Sequence, residues 1–123
     1  PFKHLQFMVT RVANDGKVYG TKEKLDRNTA LRIMTMGSAY YVLREKVLGS
    51  LEEGKYADLV VIDKDFMKVP DDKLAEMQVL MTVVYGKPAY ATSEFQKEIG
   101  WSGISTQKAV PPEGIDEDKP ERE

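Results

Sequence analysis

Gly49-Ser50-Leu51-Glu52-Glu53-Gly54-Lys55-Tyr56-Ala57-Asp58-Leu59-Val60-Val61-Ile62-Asp63 is the stretch on which the reading of this chain turns. Its first half, with Glu52-Glu53-Gly54-Lys55, is turn chemistry. Its second half, Ala57 to Asp63, is a short apolar run rich in β-branched residues and bounded by acids, which predicts a buried strand. Before it the period is helical. Phe2, Leu5, Met8, Val9 and Val12 recur at spacings of three and four, predicting a helix over residues 2–13, broken by Asn14-Asp15-Gly16. A polar loop leads to Asp26, a natural N-cap, and Ala30, Leu31, Met34, Tyr41 and Val42 carry a second helix to about Leu43.

After Asp63 the pattern alternates between loops and strands. Asp71 or Asp72 is placed to cap a short helix ending at Glu76, and Gln78 to Tyr85 reads as a second strand. Gly86-Lys87 is expected to turn the chain into a returning strand, Pro88 to Ala91, with the proline favouring a sheet edge. Phe95, Ile99, Trp101 and Ile104 offer apolar surface within 93–110 without fixing its place. Residues 111–123 hold six acids against Lys119 and Arg122 and predict a disordered acidic tail.

Composition bounds the chemistry. The chain has 123 residues, room for one small domain but not two full ones. A net charge of −2 gives no electrostatic support to nucleic-acid binding, and no apolar run nears the roughly 20 residues that cross a bilayer, so a cytoplasmic, membrane-free setting is expected. No cysteine is present, which removes disulfides, thiolate chemistry and Cys-ligated zinc, and the lone His4 cannot build a multi-histidine metal site. The start at Pro1, inside an amphipathic pattern, suggests a piece of a longer protein.

The quoted stretch closely resembles the C-terminal signature of the amidohydrolase superfamily, G-S-L/I-E-x-G-K-x-A-D-L-V-V-L/I-D, in residue type at every position. Leu25 to Leu31 is similar to that family's L-T-x-x-E-A-L helix start, and Val79 to Tyr90 to its closing V-x-x-T-x-V-x-G-K/R-x-V-Y hairpin. Phe66 to Met77 resembles the connection found in the amidohydrolase family 3 type, the subgroup of N-substituted formamide deformylases and exoenzyme regulatory proteins. The resemblance covers residues 1–91 and departs at Met36-Gly37-Ser38, at Ala89 and beyond Thr92.

The resemblance implies an α+β region: the terminal helices of a (β/α)8 barrel over 1–48, then the C-terminal half of a small β-sandwich over 49–92, an extension over 93–110 and the tail over 111–123. It implies a parent enzyme, a metal-dependent hydrolase acting on C–N bonds of a small amide-type substrate and expected to hold a divalent metal, zinc foremost. The family's H-x-H pair and other ligands find no counterpart here, and its barrel aspartate would fall just before Pro1. No catalytic, cofactor-binding or metal residue is therefore assigned to this chain, which alone is expected to be inert. The alternative is a non-catalytic binding or assembly module that pairs its strands with another chain. Partners follow: the missing N-terminal part of the same protein, or a second copy burying Val60, Ile62, Leu80 and Val84.

Residues that invite sharper readings have plainer ones. His4 reads as a partly exposed structural histidine, and Asp58, by its place in the signature, as a partner for backbone N–H groups at strand entry. Asp63 and Asp65 read as solvated strand-end acids rather than a cation site, and Lys22-Glu23-Lys24 as a solvated face. Tyr40-Tyr41 reads as core packing, and Gly16, Gly20 and Gly37 have no phosphate-cradling spacing.

Overall fold

A computed structural model describes residues 1–107; the acidic stretch 111–123 and the end of the 93–110 extension lie outside the described residues. Helix α1, Phe2–Thr10, buries Leu5 and Val9 one turn apart. It ends earlier than its apolar period predicts, because Arg11 adopts φ 62° and turns the chain away. Val12 then pairs with Val18 in an antiparallel bridge around the Asn14-Asp15-Gly16 turn. An apolar β-branched residue that continues a helical stripe in sequence thus belongs to a β-loop.

Asp26 caps the second helical segment as its position predicts, accepting from Thr29 N at 2.9 Å. The rod is not uniform: α2, Arg27–Arg32, widens into a π-helical turn, Ile33–Gly37, before α3, Ser38–Tyr41. Ser38 Oγ, at the start of α3, donates back to Met34 O in the widened turn at 3.1 Å, and Thr35 Oγ1 in that turn donates to Leu31 O of α2 at 2.9 Å. Leu43, at φ 55°, ends the rod. Tyr40 and Tyr41 are 66% and 88% exposed, which corrects the expectation that they pack in the core; the π turn rotates α3 so that Ala39 faces inward instead.

The sheet is an antiparallel meander in the order β1-β2-β3, with β1 Leu59–Ile62, β2 Val79–Val84 and β3 Lys87–Ala91. β1 is an edge strand, not the buried strand its apolar run predicts: Val60 is 54% exposed. The β2–β3 turn sits one residue earlier than expected, on Tyr85 (φ 50°) and Gly86 (φ 72°), the two positive angles of a type I′ turn. Pro88 lies in the edge strand β3, beside a register shift at Thr82/Val83.

Leu5 and Val9 from α1, Ala30 from α2, and Phe66, Leu74 and Met77 form the buried cluster, with Ile62 of β1 packed against it. The 63–78 connection is thus the filling between helices and sheet. Its short helix, Asp71–Glu76, is 3-10 and has Pro70 as N-cap, so neither Asp71 nor Asp72 caps it. Gln6 Oε1 accepts from Ala75 N at 2.8 Å, and Asp71 pairs with Arg27 at 2.6 Å. Beyond the sheet, α4, Ser93–Glu98, is capped by Thr92 and carries the buried Gln96, while Trp101 lies half exposed rather than packed.

Candidate functional site

The signature loop 49–58 meets the helical rod, the start of β1 and the β2–β3 turn. Gly49 stands at φ 93°, and a Cβ there would lie 2.9 Å from Ala39 Cβ and 3.0 Å from Met36 Cα. Only glycine permits both that angle and that approach. Lys55, its side chain 11% exposed, donates to Ser50 Oγ at 2.7 Å and stands 3.3 Å from Glu52 Oε1. Ser50 in turn hydrogen-bonds Glu52, whose carboxyl is held below the usual range by that hydroxyl first and the ammonium second. A Ser–Lys pair suggests nucleophilic catalysis, but Ser50 Oγ directs its hydrogen to Glu52 and accepts from Lys55 Nζ, so in this arrangement Lys55 is a donor to Ser50 and not its base.

Tyr56 N donates to Val47 O at 3.0 Å, and its ring lies 4.7 Å from that of Tyr85 at 58°. Asp58 Oδ1 accepts from Tyr85 N at 2.7 Å, and Gly86 N donates to Ala57 O at 3.0 Å. Asp58 thus does what its place in the signature implies, holding backbone N–H at strand entry, and the N–H it holds belongs to the hairpin turn 27 residues on. Gly49, Lys55, Tyr56 and Asp58 together form a latch between helices and sheet.

The other flagged residues do not converge on it. Asp63 Oδ1 accepts from Gln78 N at 2.8 Å. Asp65 accepts from Met67 N at 2.9 Å and pairs with Lys68, and both contacts, the backbone one first, lower its pKa. Asp63 thus serves an amide fifteen residues on and Asp65 its own turn, so the D-x-D spacing frames no shared cation. His4 is exposed, on the wall of a cleft of about 580 Å³ with Lys3, Gln6 and Asn14. Among the described residues no group of three or more His, Cys, Asp or Glu could hold a metal ion, so these residues do not fit the metal that the resemblance implies.

Two structural residues escaped the sequence reading. Arg27, its side chain 15% exposed, donates to Phe66 O, Val69 O and Asp71, fixing the 63–78 connection on α2. Gln96 Nε2 donates to Ala91 O at 3.1 Å and Ile104 O at 3.0 Å, while its Oε1 accepts from Ile104 N at 3.2 Å. Arg27's partners lie some forty residues away, so no local signal could have found it.

Helices joined to a small three-stranded antiparallel sheet by a latch of signature residues define an α+β fold. The family model described as "Amidohydrolase family" matches residues 1–90, and the chain belongs to that family. An N-substituted formamide deformylase of Arthrobacter pascens is 35% identical over 88 residues, covering 69% of this chain and 16% of that protein. A putative amidohydrolase, YtcJ, of Bacillus subtilis (strain 168) is 29% identical over 96 residues, 76% of this chain and 18% of that protein. An imidazolonepropionase of Treponema denticola is 52% identical over 42 residues, 34% of this chain and 10% of that protein. The chain spans less than a fifth of the length of these relatives. No solved structure matches significantly. No helix among the described residues is long and apolar enough to cross a membrane.

Proposed function

We propose that this chain is the C-terminal region of a metal-dependent amidohydrolase that hydrolyses the C–N bond of a small amide-type substrate. In that reading α1 to α3 complete the wall of a (β/α)8 barrel, the sheet is half of a β-sandwich, and the chain's own residues brace the catalytic centre without touching substrate. The observation that carries it is the latch: the signature residues of the family make one tertiary joint, with Gly49 against α3, Lys55 within the loop and Asp58 on the hairpin turn. The names of the relatives support amide-type chemistry, since one is a formamide deformylase and another a putative amidohydrolase. A divalent ion, zinc foremost, would supply Lewis-acid chemistry in such an enzyme. Its ligands would come from upstream, and the setting would be cytoplasmic.

The test is the open reading frame upstream of Pro1. This reading expects an H-x-H pair some hundreds of residues earlier, in frame. A stop codon followed closely by a start codon just before Pro1 would overturn it and leave the assembly-module alternative.

A further inference from the structure

Asp15-Gly16 is the one Asp-Gly pair in the chain, and it lies in the loop closed by the Val12–Val18 bridge. That dipeptide has a chemistry of its own. Glycine leaves its amide unhindered, so Gly16 N can attack Asp15 Cγ: the N–Cγ bond forms, a carboxyl C–O bond breaks, and that oxygen leaves as water with the amide and carboxyl protons. Water then opens the five-membered imide at either carbonyl, which restores aspartate or leaves isoaspartate, whose main chain runs through the side-chain carbon. Water is the only co-reactant.

Each group in that reaction is engaged elsewhere in the fold. Gly16 N donates to Ala13 O at 2.9 Å, Asp15 Oδ1 accepts from Lys17 N at 2.9 Å, and Asp15 Oδ2 accepts from the Tyr19 hydroxyl at 2.8 Å. Attack requires Gly16 N to give up the proton it shares with Ala13 O, and the carboxyl to turn away from both of its donors. The carboxyl also reacts in its protonated form, whereas the Lys17 amide first and the Tyr19 hydroxyl second hold its pKa below the ordinary value and keep it ionised. Tyr19 is fixed in turn by α1's end: its N donates to Arg11 O at 3.0 Å, and Arg11 Nε donates to Tyr19 O at 2.9 Å. Gly16 stands at φ 78° with open space where a Cβ would lie, so the hairpin needs glycine for its angle and the reactive pair comes with the turn.

We propose that Asp15-Gly16 is a latent isomerisation site that the fold holds inert through the Tyr19 hydroxyl and the Lys17 amide, so that isoaspartate forms there when the 11–20 loop opens. Once formed, it prevents the loop from closing as before, because the extra main-chain carbon lengthens the turn and moves the carboxyl away from Lys17 N and Tyr19. The site is independent of the enzyme reading.

The experiment ages the 123-residue chain in heavy-oxygen water, native and unfolded in urea, and follows isoaspartate and oxygen uptake at Asp15 by peptide mapping and mass spectrometry. The unfolded chain should isomerise roughly tenfold faster or more, since the native chain reacts through its opened fraction. Tyr19→Phe, which removes only the hydroxyl, should raise the native rate roughly threefold and leave the unfolded rate unchanged. Val18→Ala shortens a side chain of the bridge without touching the carboxyl, and should raise the native rate less than Tyr19→Phe does. Equal rates in the native and unfolded chain would overturn the proposal, as would a Tyr19→Phe chain as slow as the parent. A Val18→Ala chain as fast as Tyr19→Phe would overturn it too, since loosening of the loop alone would then account for the rate.

Discussion

Asp58 holds a turn that lies far from it in sequence, and its removal should be felt there. Asp58→Ala frees Tyr85 N and is expected to destabilise the chain by about 1 kcal/mol, with amide exchange accelerating first at Tyr85 and Gly86. Unchanged exchange at those two amides would contradict the role. Gly49→Ala should be more severe, at roughly 2 kcal/mol or more, since it combines a strained φ with a 2.9 Å approach to Ala39 Cβ; urea unfolding measures it. The acids give a pH dependence. Asp26 is held below its ordinary pKa by the Thr29 hydroxyl and then the Thr29 N–H, and Asp65 by Met67 N–H and then Lys68. The unfolded chain therefore binds protons first as pH falls. Their stabilisation is complete above the ordinary carboxylate pKa of about 4 and is lost as pH drops through the lower folded values. Asp26→Asn should flatten the fall of the urea midpoint in that window, and an unaltered slope would show that the cap is not coupled to folding.

Among the elements, those governed by neighbouring residues were legible in the sequence and those governed by distant ones were not. The Asp26 cap, the break at Asn14-Asp15-Gly16 and the β2–β3 hairpin each follow from chemistry within a few residues. The early end of α1, the π turn and the 3-10 helix after Pro70 do not, because Arg11, Ser38 and Gln6 act through geometry or contacts that periodicity does not encode. The latch residues stood out only through resemblance; their reason became visible once Tyr85 lay against Asp58. Arg27 is the clearest case of a long-range determinant. Arg27→Lys keeps the charge but loses the fork that reaches Phe66 O, Val69 O and Asp71 together, so it should cost about 2 kcal/mol, nearly as much as Arg27→Ala. A lysine variant as stable as the parent in urea would show that charge alone suffices.

For the molecule as a whole, the buried cluster sits between α1, α2 and the 63–78 connection, while Val60 and Val84 on the sheet and Tyr40 to Leu43 beyond the rod stay exposed. Under the proposed reading of the chain as a C-terminal region, this is the surface that the rest of the enzyme would cover. Metal content tests this most directly. The longer polypeptide and the 123-residue chain would each be purified, assayed for bound divalent ions by mass spectrometry, and challenged with simple N-substituted formamides. The account predicts stoichiometric metal and chelator-sensitive hydrolysis in the longer polypeptide, and neither in the 123-residue chain. One ion per 123-residue chain with amide hydrolysis, or a longer polypeptide without metal, would contradict it.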